Sequence, residues 1–248
     1  MKARTRWLLL GGGACAVLSV AASAPTILRR MDAFRVQRVE IRGTRYLAPY
    51  EALVQSGITR KSNVFDEFEP WRVRLLRHPM VVAADVEREL PNTIKVSITE
   101  AEPVALARTP VLAPVDARAR ALPIDPSTVD LDLPVLTRTA KPDANGFFKD
   151  RATQDAIAVL NLLRHQDARL YSWISDAAPI GNQGLLLNLR EPLGAQALVP
   201  ADPRALRLRE LEVTLSDLSA RGELSHMKRI DARFRDQIVV SLDQANRN

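Results

Sequence analysis

Nucleophilic, acid–base and metal chemistry each need particular side chains at particular spacings, and this sequence supplies few of them. Its three histidines, His78, His165 and His226, lie far apart, each near a predicted element end, where imidazole serves surface or capping roles. The acidic pairs Glu67/Glu69 and Glu87/Glu89 belong to runs of mixed charge. The single cysteine, Cys15, falls inside an apolar segment. The remainder of the chain therefore has no disulfide, thiol nucleophile or Cys-based metal site. No G-x-S-x-G, G-x-x-x-x-G-K-[ST], H-E-x-x-H or Gly-rich dinucleotide turn occurs, so no catalytic residue, cofactor or metal is expected. Carboxylates far apart in sequence could still form a hydrolytic pair, which leaves an anchored cell-wall enzyme as the weakest of three readings.

The chemistry that remains is that of the backbone. Met227 to Phe234 and Gln237 to Leu242 read as two closing strands with Arg235-Asp236 at the turn. A last strand with no following neighbour offers unpaired N–H and C=O groups. A partner segment can add there, main-chain hydrogen bonds giving affinity and alternate side chains giving specificity.

The elements that position this edge begin with a tether. Trp7 to Leu28 contains no charged residue and has the length of a membrane-spanning helix. Ala22-Ser23-Ala24 has the form of a signal-peptidase site, but Pro25 follows it and the apolar run is longer than a signal h-region. A retained anchor is expected, with residues 1–6 a short cytoplasmic tail and the large domain outside. The net charge of +6 supports this, because residues 1–31 carry five basic side chains and no acid. The excess flanks an apolar segment, as in membrane anchors, and not a folded basic face of the kind nucleic acid requires.

Residues 33–108 read as an α+β unit. A strand through Phe34, Val36, Val39 and Ile41 ends at Gly43. A helix from Pro49 to Ser56 is bracketed by Pro49 and Gly57. A second helix, about Phe68 to Arg77, stops at His78-Pro79. Val81–Leu90 and Thr93–Glu100 form a hairpin, with Ile94, Val96 and Ile98 inward. Arg88 and Glu100 are expected to make a solvated cross-strand pair.

Residues 109–242 read as a second α+β domain with a mixed or antiparallel sheet, followed by a tail, 243–248. Strands are expected at Val104–Arg108, Val111–Val115, Ala121–Ile124, Leu170–Ile174, Leu185–Arg190 and Ala195–Leu198. One helix is capped by Asp150 and runs to about His165. Another runs from Pro203 to Ala220, with Leu208, Leu211, Leu215 and Leu218 facing the core.

The order strand, helix, helix, strand, strand resembles a POTRA domain. The run H-P-M-V-V-A-A-D-V-E-R-E-L-P-N-T-I-K-V-S-I-T-E-A-E-P-V-A resembles a segment of the bacterial cell-division family FtsQ/DivIB. Arg88, Pro91, Ile94, Val96, Glu100, Pro103, Val104 and Ala105 occupy the matching positions. Leu133-Pro134-Val135-Leu136 and the closing R-I-D-A-R-F-R-D-Q-I-V-V resemble two further family signatures. The resemblance implies an inner-membrane protein with a periplasmic or extracytoplasmic domain, enriched at the division septum. It implies a non-enzymatic scaffold of the divisome that binds FtsB and FtsL, and through them FtsW and FtsI, and so supports septal peptidoglycan synthesis. No nucleic acid or small-molecule substrate is implied. Carried from the family's closing strands, the partner-binding residues are Arg233, Phe234, Asp236, Ile238 and Val240. The second alternative is a POTRA module serving outer-membrane protein assembly or secretion.

Overall fold

In a computed structural model, residues 31–243 are described, apart from 110, 191 and 192. The predicted membrane helix, 7–28, lies outside the described residues. Among those described, no helix is long and apolar enough to cross a membrane. The chain divides into two compact units, one ending at Ala101 and one beginning at Glu102.

The first unit has the expected order: β1 (Arg38–Arg42), α1 (Pro49–Ser56), α2 (Glu69–Leu76), β2 (Val81–Glu89) and β3 (Thr93–Glu100). The sheet order is β1-β3-β2, with β1 parallel and β2 antiparallel to β3. The period-2 pattern of β3 buries Ile94, Val96 and Ile98. Trp71, Leu75, Ala52 and Val86 are also buried in this unit. Pro49 at N1 opens α1, and Gly57 closes it at φ 72°, a left-handed cap that glycine reaches without steric cost. Gly43 is more constrained. At φ +80°, a Cβ there would lie 2.1 Å from the Ile98 carbonyl oxygen, so only glycine lets the chain turn against β3.

Two expectations are corrected here. The regular first strand starts at Arg38, because Asp32–Phe34 forms a 3-10 turn and Arg35 makes only an isolated bridge to Asn63. Arg88 and Glu100 do not pair, since Arg88 lies opposite Ile94 and Glu100 opposite Val81. The Arg88 guanidinium covers the rings of Phe65 and Phe68, at 5.5 and 4.6 Å. The Glu100 carboxylate accepts from the backbone N–H of Tyr46 and Leu47, at 2.8 and 2.9 Å, and so ties the β1–α1 connection to the end of β3.

The second unit holds an eight-stranded sheet among the described residues, ordered β11-β10-β9-β8-β7-β6-β4-β5. Its strands are β4 (Pro103–Thr109), β5 (Val111–Asp116), β6 (Val135–Leu136), β7 (Ile174–Pro179), β8 (Leu185–Leu189), β9 (Gln196–Val199), β10 (Met227–Asp231) and β11 (Val239–Leu242). The pairs β4–β6, β6–β7 and β9–β10 are parallel and the others antiparallel. The core is formed by inward residues of the strands, such as Ile174, Leu187 and Ile230, with α3 (Arg151–Gln166), α4 (Ala168–Trp173) and α5 (Leu208–Ala220). Asp150 caps α3 by accepting from the Thr153 N–H at 2.9 Å.

Leu170 to Trp173 is helical where a strand was expected. Asp167 caps the turn by accepting from the Leu170 N–H at 2.9 Å. The buried Tyr171 hydroxyl donates to the Val104 carbonyl at 2.6 Å, and burial pushes its pKa up to about 12. These local and tertiary bonds override the β preference of the aromatic run. Ala121 makes a single bridge to Val115, not a strand. The expected helix from Pro203 is interrupted: Pro203–Ala205 is a 3-10 turn, Leu206 and Arg207 leave the helical region, and α5 starts at Leu208.

The Glu100 carboxylate makes two charge-assisted hydrogen bonds to backbone. Its loss in Glu100→Ala is expected to cost about 1–3 kcal/mol, read as a lower denaturation midpoint with an unchanged denaturant slope.

Candidate functional site: the sheet edge at β11

The closing hairpin is longer in its loop and shorter in its strands than its sequence pattern suggests. β10 ends at Asp231 and β11 begins at Val239, so 232–238 is a seven-residue connection rather than a two-residue turn. Of the five residues predicted to meet a partner, Arg233, Phe234, Asp236 and Ile238 lie on this loop and Val240 on the strand.

Two internal bonds set the loop's path. The Arg233 guanidinium grips Asp231 through both carboxylate oxygens, at 2.9 and 2.6 Å. This hydrogen-bonded pairing holds the Asp231 carboxyl below its ordinary range. The Arg207 guanidinium donates to the carbonyls of Phe234 and Gln237, at 2.7 and 3.1 Å. The break before α5 places Arg207 there. Sequence reasoning missed Arg207, and the only signal for it was a basic residue between a proline-started turn and a leucine-periodic helix. Phe234 is 46% exposed. Asp236 is exposed, while Ile238 and Val240 are half-buried and pack on the core.

β11 pairs with β10 in the register Asp231–Val239, Ile230–Val240, Arg229–Ser241. Just past the strand, the Asp243 N–H donates to the His226 carbonyl at 2.7 Å, and Lys228 pairs with the Asp243 carboxylate. Strand backbone groups alternate sides. With Asp243 facing β10, Ser241 and Val239 face it too, and the N–H and C=O of Val240 and Leu242 point outward. Among the described strands, β11 has β10 as its one neighbour.

The other sheet edges differ. β5 is covered over its second half by its own chain: Leu122 donates to the Pro114 carbonyl at 2.7 Å, and Asp116 to that of Arg120 at 3.0 Å. In the first unit, β1 carries Arg38, Glu40 and Arg42, and β2 carries Asp85, Glu87, Arg88 and Glu89. Charge on an edge opposes pairing with another strand. The sequence of β11, Val-Val-Ser-Leu, has none. Beside it lies a polar basin of about 640 Å³ lined by residues that include Gln196, His226, Lys228, Arg229 and Ser241. Among the described residues no group of His, Cys, Asp or Glu is arranged to hold a metal ion.

Comparison with known proteins adds the following. The family described as POTRA domain, FtsQ-type, matches residues 34–101. The chain is 30% identical over 221 residues to a cell division protein FtsQ of Anaeromyxobacter sp., covering 85% of this chain and 72% of that one. It is 26% identical over 234 residues to a cell division protein FtsQ of Syntrophotalea carbinolica, covering 92% and 80%. Over 72 residues it is 35% identical to a cell division protein DivIB of Geobacillus kaustophilus, covering 26% and 25%.

Two outcomes follow from the loop's bonds. In Arg207→Ala, amide exchange across 235–238 is expected to rise about fivefold, corresponding to about 1 kcal/mol, while exchange in β9 is unchanged. The depressed Asp231 pKa gives stability that is present above its ordinary value of 3.8 and lost as pH falls through the lower folded value. Asp231→Asn should therefore be less stable than wild type at pH 7, and the two should converge in acid titration below pH 3.8.

Proposed function

The chain belongs to the FtsQ/DivIB family of cell-division proteins, and from that premise we propose that it is a non-enzymatic scaffold of the divisome, working by strand addition at β11. Its cell-division role follows from the family. The finer reading is that residues 7–28 anchor it in the cytoplasmic membrane with its amino end inside. The two units then act outside, at the division septum. There the second unit binds FtsB and FtsL, which lead to FtsW and FtsI and so support septal peptidoglycan synthesis.

One observation carries this reading. β11 is an uncharged edge strand with outward backbone groups at Val240 and Leu242, while β1 and β2 carry charge and β5 is covered over its second half by its own chain. Among the described residues no second strand pairs with β11, so an incoming strand finds hydrogen-bonding partners there. Arg207 and the Asp231–Arg233 pair hold the preceding loop, so Phe234 is presented beside the edge and not buried by collapse. Val239, on the face opposite the half-buried Val240, is 40% exposed and adds an apolar contact for alternate side chains of the partner. Ile238 and Val240 mainly support the edge from the core side. Phe234 and Asp236 meet the partner directly.

Proline at position 240 removes the outward N–H of the edge while leaving the ladder to β10 intact, because its N–H faces away from β10. Co-purification of the full chain with FtsB should fall at least tenfold in Val240→Pro, with the unfolding midpoint close to wild type. Unchanged recovery of FtsB with Val240→Pro would reject strand addition at this site.

A further inference from the structure

The first unit carries an aromatic and apolar cluster that the division scaffold does not use. Phe34 and Phe65 meet edge to face with centroids 5.0 Å apart. Arg88 covers Phe65 and Phe68, and Phe68 stacks on Trp71 at 5.6 Å. Close to Phe34 in the chain, the Met31 carbonyl accepts from the Asn63 side chain at 3.5 Å. The tip of the β2–β3 hairpin closes the same end, since Asn92 accepts from the N–H groups of Gln37 and Arg38 at 2.9 and 3.3 Å. Leu90 at that tip is 58% exposed and Met31 46%. Exposed apolar side chains grouped at one end of a unit, unlike single ones, mark an interaction surface.

What covers them follows from chain length. Leu28 closes the uncharged segment and Met31 opens the cluster three residues later. Three residues of extended chain reach about 10–11 Å at most. The headgroup layer on each side of a bilayer is about 5–8 Å thick. A chain anchored by 7–28 therefore holds Met31 within about 11 Å of the hydrocarbon edge, no more than a few ångströms beyond the headgroup layer. Its composition, aromatic rings with a guanidinium lying on them and two exposed apolar tips, is the one that interfaces favour. The opposite end of the unit differs. β1 and β3 run away from the tip in parallel, and at their far end the Tyr46 N–H donates to the Glu100 carboxylate, a few residues before the 74% exposed Tyr50 at the start of α1.

We propose that this end of the first unit, Met31, Phe34, Leu90 and the Arg88-covered rings of Phe65 and Phe68, is a docking face for the lipid surface, seating Leu90 among the headgroups and fixing the unit's orientation on the bilayer. The inference rests on the reading of 7–28 as a retained anchor. It adds a second attachment: the tether sets distance, and the face sets tilt and rotation.

The test uses the full chain with Cys15→Ser, reconstituted into vesicles of phosphatidylethanolamine and phosphatidylglycerol. A single cysteine is placed by Leu90→Cys or, as a distal control, Tyr50→Cys, and each is labelled with an environment-sensitive fluorophore. The Leu90→Cys label is expected to be quenched at least threefold more by lipid-borne nitroxide than by an aqueous quencher, and the Tyr50→Cys label the reverse. Equal aqueous quenching at both sites, with the protein retained through an alkaline wash, overturns the docking face while the anchor stands. Release of the protein by the alkaline wash overturns the anchor and the docking face together.

Discussion

A β-sheet leaves two rows of backbone donors and acceptors without partners, and how a protein treats those rows governs what can bind it. In the second unit the two ends of one sheet are treated differently. At β5 the chain folds back, and Leu122 and Arg120 occupy the outward groups of Pro114 and Asp116. At β11 the outward groups of Val240 and Leu242 face away from the sheet, on a strand with no charge to repel a newcomer. An edge strand with no second neighbour among the described residues is the place where a strand of a partner can add.

The surroundings of that edge serve to keep it rigid. Ile230 and Met227 bury the inner face of β10, while Ile238 and Val240 pack partly on the same core. Arg207 and Asp231 both restrain the loop, one by donating to its carbonyls and one by accepting from the Arg233 guanidinium. Pre-organisation of this kind lowers the ordering cost of binding. Arg207, Asp231 and Arg233 are spent on internal bonds that position backbone.

Much of this was legible in the sequence. α1 was bounded by its proline and glycine, β3 by its alternation, and α3 by the Asp150 cap, all of them local signals. The misreadings arose where distant residues decide the outcome. Leu170–Trp173 reads as strand by propensity, but Asp167 and the Tyr171 bond to Val104 make it a helix. The closing turn reads as two residues because nothing near it announces Arg207, which lies 27 positions before Phe234. Arg88 and Glu100 share a hairpin and opposite charges, yet register separates them. The open edge itself was inferred from chain order. Its contrast with the self-covered β5 and the charged β1 and β2 required the fold.

Amide hydrogen exchange resolved to single residues, on the full chain with and without FtsB, tests the central claim most directly. The account predicts that the amides of Val240 and Leu242 exchange rapidly in the unbound chain, while those of Val239 and Ser241 are already slow. On binding, Val240 and Leu242 should become protected. Binding that leaves these two amides as fast as before would contradict it, since an added strand cannot form without using them.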